Sequence, residues 1–154
     1  MSGFIFNELL DKLRTRDTST TRFGSKLDLR VATANAQTRT ITYEYAITSD
    51  EVYRGYLASG WLSTVVENAT DPLICAATSN SNMVTSSLTV NTLEPVMAGV
   101  VVEIVCRLVL FEGRMVQAVV TFRDARKRNI VYAAGVHTLI YKEGLSASGG
   151  GAKI

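Results

Sequence analysis

The sequence predicts an α+β domain in which one buried helix packs on a face of a single antiparallel sheet. Three observations lead to it. Apolar side chains at Trp61, Leu62, Val65, Val66, Ala69, Leu73, Ile74, Ala76 and Ala77 surround a helix axis almost completely, which marks a helix enclosed by other elements. Strand-patterned runs lie on both sides of it, two before and four after. The links between the runs are short, as antiparallel neighbours allow. With 154 residues, 47% hydrophobic and 19% charged, the chain suffices for one core and is not that of a disordered protein.

The elements follow in order. Phe6, Leu9, Leu10 and Leu13 fall at helical spacing, predicting a short amphipathic helix that the polar stretch 15–21 ends. Residues 26–31 alternate polar and apolar, as do residues 40–47, where Ile41, Tyr43, Tyr45 and Ile47 share a face. Residues 35–38 link the two as a hairpin-like turn. The buried helix contains Pro72, which either kinks it or opens a second helical segment after Asp71. Strands are then expected over residues 83–91, 100–111, 115–123 and 130–141, with Glu112-Gly113 and the basic stretch 124–129 as turns. This divides the chain into an N-terminal helix and linker (1–20), one domain (21–142) and a flexible tail (143–154).

Composition narrows the chemistry. Sixteen basic against fourteen acidic residues give a net charge of +2, too little to call for nucleic acid or an anionic membrane. Cys75 and Cys106 form no CxxC pair, and a single His leaves a His/Cys zinc site short of ligands, so neither metal nor cofactor is expected. Reduced thiols fit an intracellular compartment. The apolar run 96–102 stops at Glu103, far short of a membrane span, and residues 1–8 lack the basic flank of a signal peptide. A soluble protein is expected.

Several strings, taken in their order, resemble the hotdog-fold acyl-CoA thioesterases of the phenylacetate and human thioesterase-superfamily-member type. They are the stretch from Ala58-Ser59-Gly60-Trp61 to Glu67-Asn68, the run from Val84-Thr85 to Asn91 with Pro95, and Ala134-Gly135-Val136-His137-Thr138. The resemblance covers about residues 40–141. It implies a sheet wrapped round the central helix and hydrolysis of acyl-CoA to free acid and coenzyme A, which enters only as part of the substrate. It also implies a homodimer or homotetramer with sites at the subunit boundary. Glu67 is then the general base or nucleophile, the Gly60 N–H the oxyanion donor, and Thr85 a hydroxyl that positions water. Ser59, Trp61 and Asn68 would line the substrate. The family's His-Gly-Gly opening departs here to Ala58-Ser59-Gly60, its preceding Asn falls near Val52, and its acid is Glu rather than Asp. A hotdog protein that binds acyl-CoA without turning it over is therefore the rival reading.

The residues support this chemistry independently. A helix N-terminus offers unpaired N–H groups and a positive dipole end. A carboxyl in an apolar helix is a usable base, because burial disfavours its charged form. Gly60 and Glu67 are seven residues apart, so they share a helix face but stand about 10 Å apart along the axis. One carbonyl cannot contact both within one chain, and two antiparallel helices from two copies would be needed. Arg123, Arg126, Lys127 and Arg128 either meet the phosphates of coenzyme A or are solvated turn charges; without interleaved aromatics they make a poor RNA site. Trp61 and His137 read as structural. Ala152-Lys153-Ile154, after three glycines, resembles a peroxisomal address.

Overall fold

The computed structural model describes Leu27, residues 29–78 and residues 83–141. The expected N-terminal helix and linker (1–20) and the tail with its Ala-Lys-Ile end lie outside the described residues. Within them the order is β1 (Arg30–Asn35), β2 (Thr40–Ala46), a 3-10 turn (Ser49–Glu51), β3 (Val52–Tyr53), β4 (Tyr56–Leu57), α1 (Ser59–Thr78), β5 (Met83–Thr92), β6 (Val101–Glu112), β7 (Met115–Asp124) and β8 (Val131–Tyr141). Six strands form one sheet in the order β1-β2-β6-β7-β8-β5, antiparallel throughout.

Alternation decides which face of the sheet is dry. Ile41, Tyr43 and Tyr45 of β2, Val102, Ile104 and Cys106 of β6, and Val116, Ala118, Val120 and Phe122 of β7 are all buried. Leu62, Val65, Val66, Ala69, Leu73 and Ile74 of α1 close over them, with α1 in contact with β2, β5, β6, β7 and β8. At Gly135 of β8 the helix and the neighbouring strand leave no room for a side chain. A Cβ there would stand 3.0 Å from the Thr89 carbonyl and 3.3 Å from a Val66 methyl.

Three sequence expectations are corrected or resolved. The first strand runs Arg30–Asn35 rather than 26–31, because its pairing with β2 (Asn35↔Thr40, Arg30↔Glu44) sets the register and leaves buried Leu27 ahead of it. Pro72 neither ends nor divides the helix, which is continuous over Ser59–Thr78. The small β3–β4 hairpin was not expected: two-residue strands carry no readable period. Its turn is Arg54-Gly55, both at positive φ (54° and 89°), the geometry of a two-residue primed turn.

Candidate active site

The sheet leaves one stripe of α1 uncovered. Gly60, Asp71 and Cys75 are exposed, and Thr64, Glu67 and Asn68 half-buried, at the four-three-four spacing of a single helix face. This stripe holds Gly60 and Glu67, two of the three residues on which the sequence reading placed catalysis; the third, Thr85, lies on β5.

The start of the helix is anchored from outside. Tyr45 donates to Glu51 Oε1 (2.7 Å), and the Thr48 amide and hydroxyl both donate to Glu51 Oε2 (2.6 Å each). Burial pushes the Glu51 carboxyl up, but the bonds from Thr48 and Tyr45 outweigh it and hold the group below the usual range. The Glu51 carbonyl then accepts from the Ala58 amide (3.0 Å), while the Val96 carbonyl accepts from Leu57 (2.8 Å). Ala58 caps the helix by accepting from the Trp61 and Leu62 amides (3.1 and 3.3 Å). The amides of Ser59 and Gly60 have no acceptor among the described residues, as the first amides of a helix do. A side chain at Gly60 would meet open space, so a ligand has access to that backbone.

Glu67 sits two turns on. Its carboxylate has no hydrogen bond among the described residues, and it is half-buried rather than enclosed. The apolar setting expected for it is thus incomplete within this chain. Asn68, expected to line the substrate, donates from its amide to the Thr64 carbonyl (2.7 Å) and makes no bond to Glu67 among the described residues. Trp61 packs on Tyr45 with ring centroids 5.2 Å apart, which ties the first turn to β2.

Thr85, exposed on β5, lies 2.9 Å from Nε2 of His137, and the other ring nitrogen, Nδ1, lies 2.6 Å from Oγ1 of Thr70 on α1. The ring is fully buried, and that burial lowers the His137 pKa to about 4, leaving a neutral imidazole.

A pocket of about 290 Å³ opens beside the first turn of α1, lined by Tyr56, Leu57, Leu62, Leu93, Pro95 and Tyr132 among others. The basic turn is tied to that lining, because the Tyr132 hydroxyl donates to Asp124 Oδ2 (2.7 Å). Glu103, buried on β6, accepts from Arg123 Nε (2.8 Å) and Arg128 (2.7 Å), and the Asp124 carboxylate accepts from the amides of Arg126 and Lys127 (2.8 and 2.7 Å). Two of the four predicted phosphate contacts are therefore engaged by Glu103, while the side chains of Arg126 and Lys127 reach solvent.

No protein-family model and no curated protein sequence matches the chain. Solved structures do. Thioesterase superfamily member 2 from Mus musculus superposes with a TM-score of 0.72 at 15% identity, over 92% of this chain and 100% of that one. The chain has the hotdog fold. A second hotdog match is a mutant phenylacetic acid degradation protein from Thermus thermophilus, with TM-score 0.62, 17% identity, 74% of this chain and 93% of that one. A third is an acyl-CoA hydrolase from Staphylococcus aureus in complex with butyryl-coenzyme A, coenzyme A and coenzyme A disulfide, with TM-score 0.63 and 14% identity. It aligns with 70% of this chain, which spans 66% of that hydrolase.

In this hotdog, sequence reasoning singled out Gly60, Glu67 and Thr85 as candidates and read His137 as structural, but it did not foresee the bonds of His137 to Thr70 and Thr85 or those of Glu51 and Glu103. A Thr in an apolar helix and a lone His in a strand carry no local signal of their pairing. Only the packing of α1 on β8 brings them together.

Proposed function

We propose that this chain is an acyl-CoA thioesterase working at an interface between two copies, with Glu67 of one copy facing the Gly60 amide of the other. The observation that carries the reading is the uncovered stripe of α1, which presents an amide and a carboxylate that have no partner among the described residues and stand too far apart to serve one carbonyl alone. The matched structures support the substrate class: one holds butyryl-coenzyme A, and another, a hypothetical thioesterase from Streptococcus pneumoniae, holds coenzyme A. A second helix laid antiparallel on the stripe would complete the burial of Glu67 and place the acyl group beside the pocket at Leu57 and Leu62.

The chemistry balances without a cofactor. Water attacks the thioester carbon while passing one proton to the Glu67 carboxylate, and the oxyanion accepts from the Gly60 N–H. Collapse expels the coenzyme A thiolate, which takes the proton back from Glu67 and leaves the free acid. In the nucleophilic variant, the carboxylate itself attacks and expels the coenzyme A thiolate, and water then cleaves the anhydride, restoring Glu67, releasing the acid and supplying the proton the thiolate takes. Arg126 and Lys127 are the cations free to meet the substrate's phosphates, and the Ala152-Lys153-Ile154 end would direct the enzyme to a peroxisome-like organelle.

Release of free thiol from a panel of acyl-CoAs tests the reading. Wild type should turn over at least one of them, and Glu67→Ala should be slower by at least about a hundredfold. Tight binding without turnover in the wild type would instead establish the non-catalytic acyl-CoA-binding protein that Ala58 and Ser59, standing where the family carries His and Gly, favour.

A further inference from the structure

For a neutral His137 ring, the hydrogen bonds of Thr70 give a direction to the protons between α1 and β5. Thr70 Oγ1 stands 2.8 Å from the Val66 carbonyl and 3.2 Å from the Glu67 carbonyl. A hydroxyl has one proton, and carbonyl oxygens only accept, so Thr70 donates to the helix backbone. Toward His137, 2.6 Å away, Thr70 Oγ1 is therefore an acceptor, and Nδ1 carries the ring proton. In a neutral ring Nε2 is then a bare lone pair, and the group 2.9 Å from it, the Thr85 hydroxyl, donates into it. That hydroxyl has no other partner among the described residues, and Thr85 is exposed. Its outward side consequently presents lone pairs only.

This direction bears on hydrolysis. A water that donates one proton toward Glu67 and the other to Thr85 keeps a lone pair free to attack a carbonyl carbon. A freely rotating Thr85 hydroxyl would instead donate to the water and occupy that lone pair. Thr70 also lies one turn from Glu67, so the same chain of bonds ties the strand bearing Thr85 to the helix bearing the carboxylate.

We propose that His137 is a positioning residue of the hydrolytic site, holding Thr85 as a pure acceptor for the attacking water in register with Glu67. This rests on the thioesterase reading above but assigns a residue and a proton arrangement that reading does not contain.

The chain has a single histidine, so its imidazole gives one set of ¹⁵N resonances. In the full-length protein these should show the neutral Nδ1–H tautomer at pH 7, and Thr85→Val should shift Nε2 while leaving the tautomer unchanged. An Nε2–H tautomer or an imidazolium at pH 7 overturns the proposal, whatever the activity. In thiol-release assays, Thr85→Val and His137→Asn should each lower kcat by at least about tenfold with KM nearly unchanged, and the double variant should lose little more than either. Thr85→Ser, which keeps the hydroxyl, should retain activity. Thr70→Val keeps the ring and replaces His137→Asn in this cycle should that variant fail to fold. Independent, additive losses in an active enzyme refute His137 alone, whereas a wild type that hydrolyses no acyl-CoA refutes the thioesterase reading beneath it.

Discussion

Thr70 Oγ1 lies 2.6 Å from Nδ1 of His137, and that contact joins the central helix to β8 through the chain's one histidine. Because the ring is buried, its pKa falls to about 4 from the ordinary 6.5. An unfolded chain therefore binds a proton between these values that the folded chain refuses. Stability from this group is complete above pH 6.5 and is lost as pH falls toward 4, by up to about 3 kcal/mol. Denaturant unfolding at stepped pH should show this decline, and His137→Gln should flatten it within that window.

Gly135→Ala should destabilise the fold although the added group is one methyl. The new Cβ would press on the Thr89 carbonyl at 3.0 Å, a backbone atom of the paired strand β5, and on Val66 and Val90 at 3.3 and 3.4 Å. The expected loss is roughly 1–3 kcal/mol in denaturant unfolding. An unchanged midpoint would mean that α1 does not approach β8 this closely.

The four basic residues of the β7–β8 turn should separate into two kinds. Glu103→Ala leaves Arg123 and Arg128 without their buried carboxylate and should cost roughly 1–3 kcal/mol of stability. Arg126→Ala and Lys127→Ala should leave stability alone and raise the KM for acyl-CoA without lowering kcat. Equal effects on KM from all four positions would contradict the division.

Fused behind a fluorescent protein in cells, the chain should collect in peroxisome-like bodies, and removal of Ala152, Lys153 and Ile154 should leave the fluorescence diffuse. A distribution that the truncation does not change removes the address.

Much of the architecture was legible because it rests on long periodic segments. Ile41, Tyr43, Tyr45 and Ile47 alternate over a whole strand, and the apolar residues of α1 repeat over five turns, so their faces are set before any contact forms. The first strand was misplaced because residues 26–31 also alternate, and only its pairing with Thr40 and Glu44 chooses the register. Gly60 and Glu67 were singled out as candidates from helix geometry together with resemblance. The Thr85–His137–Thr70 chain was hidden because its members come from three elements far apart in sequence, 52 and 67 residues from the shared ring. Glu51 was missed for a similar reason: its role depends on separate bonds from Tyr45 and from Ala58, the latter across a hairpin too short to read.

The shared site itself is open to a mixing experiment. Gly60→Pro removes one amide in the first helical turn, where proline is tolerated, and Glu67→Ala removes the carboxylate. Each variant alone should be inactive toward acyl-CoA. Unfolded together and refolded, they should regain about a quarter of wild-type activity, since half the dimers are mixed and half of each mixed dimer's sites carry both native groups. Mixed dimers that form but hydrolyse nothing would contradict a site built from two chains.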